Sequence, residues 1–321
     1  MTARGLAVVF FGTPQFAVPT LDALLASAHR VVGVVTQPDR PRGRGHRSSY
    51  APVKARAIEA GVPVLQPATF RDPAAVEALR QLGADIGVVA AYGRILSSTV
   101  LEVPPRGMVN VHASLLPKYR GAAPVHRAVM AGESLTGITI MRVVRELDAG
   151  GMLAMAERPI GPDETSEQVE RDLSEIGAAL LVQTLDRMLA GHVTETPQDD
   201  RLATYAHRIT RDDGIVDWSR PARTIHNQVR GLYPWPHAFS FLDGQRLIIL
   251  QSSVSTGTEG SHAGRSAPGT IVEARGDELR VATGDGALRI EELQAEGRRP
   301  ARTREFLAGH HLAVGARFVG Q

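Results

Sequence analysis

Cysteine is absent from this 321-residue chain, which excludes disulfide bonds and thiolate chemistry. Long apolar runs are absent too, since no stretch approaches the roughly 18 residues that a membrane-spanning helix needs. The formal net charge is only +2, too small to indicate a nucleic-acid partner by itself. No group of His, Asp and Glu has the spacing of a zinc site. We therefore expect a cytoplasmic protein with no membrane partner and no metal.

The composition is that of an ordinary globular protein, with 43% hydrophobic and 22% charged residues. A length of 321 residues predicts about two domains. The N-terminal stretch MTARGLAVVFFGTPQF has no small-residue cleavage site after its apolar run, and Gly12 and Pro14 begin a turn instead. We interpret this stretch as a first strand and not as a signal peptide.

The first half of the chain alternates β-rich apolar runs with segments of helical spacing. Strands are predicted at LAVVFF, RVVGVVT, VPVLQ, ADIGVVAAY and GMVNVH, with helices over 15–27, 51–61 and 73–82. This repetition predicts an α/β fold with a Rossmann-like open parallel sheet, covered by helices on both faces. After residue 136, two more strands, TGITIMRVV and GMLAMAERPI, precede one long helix over 166–190 that Thr165 or Ser166 can cap. We assign residues 1–191 to this domain.

The last third of the chain has a different pattern. Residues 192–208 show no clear periodicity and are predicted to be a linker. Over residues 209–321, β-rich runs are separated by the pairs Asp243-Gly244, Gly276-Asp277 and Asp285-Gly286, which are typical of tight hairpins. Several short antiparallel strands predict a small closed all-β barrel of the oligonucleotide-binding (OB) kind. Its scattered arginines make this barrel a candidate platform for nucleic acid.

The stretch GMVNVHASLLPKYRGAAP carries the most specific chemistry. Asn110 and His112 lie two residues apart at the carboxyl end of a predicted strand, so their side chains point to the same side, where open α/β sheets bind ligands. An amide donor beside an imidazole that can be protonated suits a developing oxyanion. A carboxylate is then needed to orient the histidine, and Asp148 in RELDAGG is the best candidate. The same three residues are also compatible with structural roles at a strand end and in a turn.

Several motifs, in order along the chain, indicate a family. NVHASLLPKYRGAAP resembles the signature loop of the folate-dependent formyltransferases, and FGTPQFA, TQPDRPRGRG, AAYGRIL, TGITIM and LDAGGML also match that family. Together with the C-terminal barrel, the resemblance runs over nearly the whole chain. It implies transfer of a formyl group from 10-formyltetrahydrofolate to the α-amino group of methionine esterified to initiator tRNA.

The resemblance also implies roles for individual residues. Asn110 and protonated His112 would donate to the oxygen that becomes negative when the amine attacks the formyl carbon, and Asp148 would favour the imidazolium and relay a proton from the amine. The folate pocket would be bordered by the loop Ser114, Leu115, Leu116 and Pro117, and by the backbone around Ala91, Tyr92, Gly93, Ile95 and Leu96.

The loop QPDRPRGRGHRSSY, residues 37–50, is strongly basic. Its composition is equally compatible with a solvated active-site loop and with a contact to tRNA phosphates. The resemblance favours the tRNA contact, through Arg42, Arg44, His46 and Arg47, with Arg44 as the principal residue. Relatives often carry lysines where His46 and Arg47 stand, so part of the charge here depends on pH.

Some alternatives stay open at this stage. Gly151 departs from the family, in which an acid is common at that position, and we expect Asp148 to suffice. Formyl transfer to a purine-precursor amine or a nucleotide sugar, and a non-catalytic RNA-binding role, are the rival functions. A dehydrogenase is disfavoured because FFGTPQFA has one glycine where G-x-G-x-x-G is needed, and a serine hydrolase because Ser114 lacks a nucleophile elbow. No spare apolar stripe is evident, so we expect a monomer.

Overall fold

The computed structural model describes residues 5–39, 50–255 and 266–320, and the chain divides into two compact units. The first unit comprises Met1–Pro124, Leu135–Pro159 and Glu170–Ala206, and the second comprises Val125–Ser134, Ile160–Val169 and His207–Gln321. Our limits for the functional domains and their linker stay a prediction. None of the helices in the described ranges combines the length and the apolar character that crossing a bilayer requires.

In residues 5–39 and 50–206, the chain forms nine strands and six α-helices. The strands are β1 (Ala7–Gly12), β2 (Arg30–Val35), β3 (Val64–Leu65), β4 (Ile86–Ala90), β5 (Met108–His112), β6 (Arg120–Gly121), β7 (Leu135–Arg142), β8 (Met152–Pro159) and β9 (Tyr205–Ala206) in the part of the chain described. The helices there are α1 (Val18–Ala26), α2 (Pro52–Glu59), α3 (Pro73–Gln81), α4 (Ser98–Leu101), α5 (Pro124–Ala131) and α6 (Ser166–Leu189).

The first unit is built on a seven-stranded sheet of order β3-β2-β1-β4-β5-β7-β8. The first five strands in this order are parallel. β7 runs antiparallel to β5, and β8 antiparallel to β7. The Rossmann-like open sheet is therefore confirmed, but the sheet is mixed and not wholly parallel. The physical reason is the connection between β7 and β8: residues 143–151 are too few for the crossover that a parallel pair needs.

Burial explains why these runs form strands and how β5 is oriented. All six residues of β1 are buried, as expected for a strand covered on both faces. α6 packs closely on β5, because a Cβ added at Gly177 would lie 2.7 Å from Cγ1 of Val111. Since side chains alternate along a strand, Asn110 and His112 point to the face opposite Val111.

Helix α6 begins with a capping box. The Gln168 amide donates to Oγ1 of Thr165 at 3.4 Å, and Oε1 of Gln168 accepts from the Thr165 amide at 2.8 Å. Thr165 is thus the cap, while the Ser166 hydroxyl donates to the Tyr233 carbonyl at 2.6 Å. The two bonds of the capping box fix the point at which this long helix starts.

The second unit contains an antiparallel sheet. Its strands are β10 (Ala238–Leu242), β11 (Gln245–Val254), β12 (Ile271–Arg275), β13 (Glu278–Ala282), β14 (Ala287–Ala295) and β15 (Ala301–Arg302), with helices α7 (Ala222–Gly231) and α8 (Thr303–Gly309). The three predicted turn pairs each connect antiparallel neighbours, as expected. Asp243 and Gly244 both have positive φ, 50° and 76°, which suits the twist of a two-residue hairpin.

The C-terminal segment, residues 315–319, closes this sheet. The strand order is β10-β11-β14-β13-β12, which leaves β10 and β12 as edges. Phe241 in β10 exchanges two backbone hydrogen bonds with Val319, at 3.0 and 2.9 Å, and Ile271 in β12 donates to the Ala316 carbonyl at 2.8 Å. Phe318 is 2% exposed, and its ring centroid lies 5.4 Å from that of Trp218. The closed barrel expected from the turn pattern is thus completed by this segment.

Candidate active site

The candidate site lies at the carboxyl end of β5. The strand ends at His112, as the sequence pattern predicts, and the side chain of His112 is 5% exposed whereas that of Asn110 is half-buried. Both side chains are on the face that α6 leaves uncovered. The accessible amide of Asn110 and the buried imidazole of His112 therefore lie side by side on one face of the sheet.

His112 and Asp148 are brought together across 36 residues of sequence. Nδ1 of His112 lies 3.7 Å from Oδ2 of Asp148, which is within ion-pair range but longer than a direct hydrogen bond. On the other side of the ring, Nε2 lies 3.0 Å from the Tyr119 carbonyl oxygen. Because a carbonyl oxygen can only accept, Nε2 carries a proton in this arrangement. The other ring nitrogen, Nδ1, therefore faces the Asp148 carboxylate.

The turn that carries Asp148 is held by three hydrogen bonds. Oδ2 of Asp148 accepts from the Gly121 amide at 2.8 Å. The side-chain amide of Gln198 donates to the Asp148 and Gly150 carbonyls, both at 2.8 Å. Asp148 itself has φ of 49°, a left-handed conformation that aspartate tolerates better than most residues. The carboxylate is thus fixed from both its side chain and its backbone.

Gly121 is required by the close approach of a neighbouring segment. It has φ of 123°, and an added Cβ would lie 2.7 Å from the Ala206 carbonyl oxygen. This approach results from the pairing of β6 with β9, in which Gly121 is opposite Ala206. Only glycine allows the Gly121 amide to reach Asp148 while this pairing is kept.

The loop Ser114 to Pro117 is anchored on β7. The Thr139 hydroxyl donates to the Ser114 carbonyl at 2.7 Å and accepts from the Leu116 amide at 3.1 Å. The Ser114 hydroxyl donates to the Lys118 carbonyl at 2.6 Å, so it is already engaged and buried. Leu115 lies against Gly137, since a Cβ there would be 2.5 Å from its Cδ2 atom. The loop is therefore a rigid border beside His112.

The turn at residues 91–96 follows β4 at the same end of the sheet. Ala91 and Gly93 have positive φ, 46° and 77°. The carbonyl of Tyr92, whose side chain is buried, accepts from Nε2 of Gln37 at 2.8 Å and from the Thr13 hydroxyl at 3.4 Å. Leu96 is buried, whereas Ile95 is 91% exposed. The turn thus combines a fixed backbone with an uncovered apolar side chain.

The basic loop can be followed only at its two ends. Arg42, Arg44, His46 and Arg47 lie outside the described residues. At the start of the loop, Asp39 forms an ion pair with Lys54 and accepts a hydrogen bond from Gln66 at 3.1 Å. The bonds from Lys54 and Gln66 hold the pKa of the Asp39 carboxyl below its ordinary value. These contacts attach the start of the loop to α2 and to the residue that follows β3.

Three site residues were not predicted from the sequence: Arg120, Gln198 and Thr204. Gln198 and Thr204 belong to the aperiodic stretch predicted to be a linker, and neither carries a motif or a periodic pattern. The buried guanidinium of Arg120 donates to Gln198 at 3.0 Å and pairs with Asp200 at 2.7 Å. The position of Arg120 within the signature loop was the one available indication in the sequence.

The space beside Gly151 is filled by Glu195. A Cβ added at Gly151 would lie 2.2 Å from Oε1 of Glu195, whose other oxygen is 3.5 Å from Nε of Arg142. A side chain at position 151 would therefore displace this carboxylate. Within residues 5–39, 50–255 and 266–320, no three His, Asp or Glu side chains are grouped so that they could hold a metal ion.

Comparisons with known proteins agree over nearly the full length. Residues 5–185 match the family model described as Formyl transferase, and residues 208–311 match Formyl transferase, C-terminal domain. The methionyl-tRNA formyltransferase of Citrifermentans bemidjiense is 45% identical over 311 residues, which is 97% of this chain and 96% of that protein.

Solved structures with low sequence identity have the same fold. The N-formyltransferase from Helicobacter canadensis in complex with folinic acid and dTDP-3-aminofucose matches with a TM-score of 0.65 at 18% identity, over 89% of this chain and 98% of that one. HypX from Aquifex aeolicus in complex with tetrahydrofolic acid matches with a TM-score of 0.63 at 17% identity, over 94% of this chain. This chain spans 47% of HypX, about half of its length.

Proposed function

The chain belongs to the formyl transferase family, and on this basis we propose that it transfers the formyl group of 10-formyltetrahydrofolate to the α-amino group of methionyl initiator tRNA. The product is N-formylmethionyl-tRNA for translation initiation. The chain is thus a one-carbon group transferase. The observation that carries the proposal is the convergence of Asp148 on His112, at 3.7 Å, beside Asn110 on the same strand.

The residues at the end of the sheet fit a folate. A pterin ring offers hydrogen-bonding groups along its edge and an apolar face, and sites for such ligands combine apolar side chains with a few fixed polar groups. The turn at 91–96 supplies main-chain groups and the uncovered side chain of Ile95, which is 91% exposed. We assign Ala91, Tyr92, Gly93, Ile95 and Leu96 to one border of this pocket. The anchored loop Ser114, Leu115, Leu116 and Pro117 forms the other border, and the bound folate supplies the formyl carbon.

The three polar residues divide the chemistry of transfer. Asn110 donates its side-chain N–H to the formyl oxygen, on which negative charge develops as the amine attacks. The imidazolium of His112 adds a positive charge beside that oxygen while its Nε2 stays bonded to the Tyr119 carbonyl. Asp148 stabilises the imidazolium and accepts a proton from the attacking amine, directly or through water. When the tetrahedral intermediate collapses, the bond between the formyl carbon and N10 of the folate breaks, and N10 takes up a proton to leave as tetrahydrofolate. No step requires a metal.

The tRNA contacts are assigned to the basic loop and the barrel. Arg42, Arg44, His46 and Arg47 would neutralise phosphates of the acceptor arm, an attraction that weakens with salt. The barrel unit would add auxiliary backbone contacts. We also propose that the protein acts as a monomer and in the cytoplasm, where aminoacylated tRNA is used.

The assay that tests the proposal supplies the protein with 10-formyltetrahydrofolate and methionyl initiator tRNA. A purine-precursor amine and a nucleotide amino sugar are supplied in separate reactions. Asn110→Ala is expected to lower kcat by about 10²–10³, the usual loss for one donor to an oxyanion. His112→Ala and Asp148→Ala should each remove most of the turnover while the protein still folds. Formylation of a small amine in preference to the charged tRNA would reject the assignment.

The role of Arg44 is tested by comparing its effects on two substrates. Arg44→Ala should weaken catalysis on methionyl-tRNA much more than it weakens folate binding, because the side chain is assigned to phosphate and not to the folate pocket. The measurements are kcat/KM for the tRNA at two salt concentrations and the folate Kd by titration. Equal losses for the two substrates would remove the loop from the tRNA interface.

A further inference from the structure

Residues 195–206, which we call the strap, follow α6 and run beside both catalytic loops. We propose that two side chains of the strap are positioning residues, Thr204 for His112 and Gln198 for Asp148. Neither side chain is assigned a contact with the reacting atoms, and each acts through a backbone group that holds a catalytic residue. The inference rests on the proposed function only for its kinetic assay.

The strap is bonded to the rest of the first unit near both of its ends. At its start, Thr196 and Met152 exchange two backbone hydrogen bonds, at 2.8 and 2.9 Å. At its end, the Arg120 amide donates to the Thr204 carbonyl at 2.8 Å, and the Ala122 amide donates to the Ala206 carbonyl at 2.9 Å. The backbone of an unstructured linker would be hydrogen-bonded to water. The backbone of the strap is bonded instead to β8 and to the signature loop.

Thr204 acts on His112 through Tyr119. The Thr204 hydroxyl accepts a hydrogen bond from the Tyr119 amide at 2.9 Å. Tyr119 has φ of 62°, an unfavourable conformation for a bulky residue that persists only where its surroundings hold it. In that conformation the Tyr119 carbonyl lies 3.0 Å from Nε2 of His112. The hydroxyl of Thr204 therefore helps to set which nitrogen of the imidazole carries the proton and which one faces Asp148.

Gln198 acts on Asp148 through a closed ring of hydrogen bonds. Its side-chain N–H groups donate to the Asp148 and Gly150 carbonyls, and its oxygen accepts from the Arg120 guanidinium at 3.0 Å. The residue after Arg120 is Gly121, whose amide donates to the Asp148 carboxylate at 2.8 Å. The ring thus fixes the carboxylate and the backbone of the same residue. Asp148 has φ of 49°, so its turn also needs external support.

Replacement of Thr204 tests the first contact. Thr204→Val keeps the shape but removes the acceptor, and we expect kcat for methionyl-tRNA to fall at least tenfold with KM for formyl-folate within twofold. Thr204→Ser restores the hydroxyl and should return kcat to within threefold of the unaltered enzyme. Leu202→Ala, at a position that is 62% exposed on the same strap, is the matched control and should keep kcat.

Replacement of Gln198 tests the second contact. Gln198→Met has a similar length but lacks both donors and the oxygen, so kcat should again fall at least tenfold with KM for formyl-folate within twofold. Gln198→Glu keeps the oxygen facing Arg120 but loses the donors to Asp148 and Gly150. Because Gln198 acts by holding the Asp148 turn, kcat of Gln198→Glu should be as low as that of Gln198→Met. A kcat equal to that of the unaltered enzyme in either variant would remove Gln198 from this role.

A spectroscopic measurement separates this inference from the proposed function. In ¹⁵N spectra of the imidazoles, His112 should show a protonated Nε2 in the unaltered protein, and Thr204→Val should change that signal whereas Leu202→Ala should not. An unaltered protein that fails to formylate methionyl-tRNA would overturn the function, and the spectra would still decide the role of Thr204. Unchanged spectra with unchanged kcat would overturn that role. A loss of kcat that follows the melting temperature and is not restored by serine would overturn it too.

Discussion

At the scale of single residues, the site is built from backbone conformations that side chains rarely adopt. Tyr119 and Asp148 both have positive φ, and each is held by a hydrogen bond from or to the strap. Strain of this kind costs of order 1–3 kcal/mol per residue, so it persists only where several contacts support it. The catalytic geometry therefore depends on residues that do no chemistry themselves.

Gly121 offers the sharpest test at this scale. Gly121→Ala should lower kcat by at least tenfold, because the new Cβ would lie 2.7 Å from the Ala206 carbonyl and would push the Gly121 amide away from Asp148. Steady-state kinetics with methionyl-tRNA measures the loss. The control is Gly61→Ala, which also has positive φ, 67°, but meets nothing within 4 Å. Gly61→Ala should be destabilised slightly and keep kcat, and equal kcat in the two variants would contradict the steric argument.

The contributions of sequence and tertiary contact are clearest at the scale of elements. β1 and β4 are predictable because a strand buried on both faces is expected to be apolar throughout. The hairpins are predictable because each turn pair contains a glycine, which readily adopts the positive φ that tight turns need. The direction of β7 is not predictable from its own residues, since alternation is the same in parallel and antiparallel strands.

The candidate site divides in the same way. A period of two residues places Asn110 and His112 on one side of β5, and the need of an imidazole for a carboxylate indicates Asp148. Gln198 and Thr204 could not be found by such reasoning, because they bond to backbone groups and such contacts leave no pattern in the residue types. The assignments of the folate and tRNA residues stay predictions.

The closing segment of the barrel gives a prediction about an element. Phe318→Ala should lower the free energy of unfolding of the second unit by about 3–5 kcal/mol, the usual cost of truncating a fully buried phenylalanine. Urea denaturation followed by tryptophan fluorescence reports this unit selectively, because both tryptophans, Trp218 and Trp235, belong to it. Val314→Ala, where the side chain is 66% exposed, is the control and should change little. A change below about 1 kcal/mol for Phe318→Ala would contradict the closure of the sheet by this segment.

At the scale of the whole molecule, each unit contains a buried histidine with an altered pKa. Burial lowers the pKa of His29 below the ordinary value of 6.5, against an opposing effect of Asp186. Burial likewise lowers the pKa of His226, with the Pro162 carbonyl and Asp163 opposing it and Arg230 and Arg223 adding to it. In both units, therefore, the histidine binds a proton less readily in the folded chain than in the unfolded chain.

Acid should consequently destabilise the protein before its carboxylates titrate. The contribution of each histidine is complete above pH 6.5 and is lost as the pH falls through that value toward the lower folded pKa. Each contributes a slope of at most about 1.4 kcal/mol per pH unit. Denaturation at pH 7.5 and 5.5 measures the effect, and His29→Asn should make the dependence shallower. Equal stability at the two pH values would contradict the prediction.

The closure of the barrel by residues 315–319 also has a consequence for misassembly. The hairpins of β10 to β14 form between neighbours in sequence, whereas closure joins Phe241 to Val319, so it is the step of highest contact order. Until it occurs, or after a proteolytic cut between β15 and this segment, β10 around Phe241 and β12 around Ile271 have bare edges, while Phe239 in β10 keeps its pairing with Ile215. Bare edges of this kind recruit strands from other chains. The segment thus protects the sheet from aggregation. Its loss would first be seen as turbidity at high protein concentration.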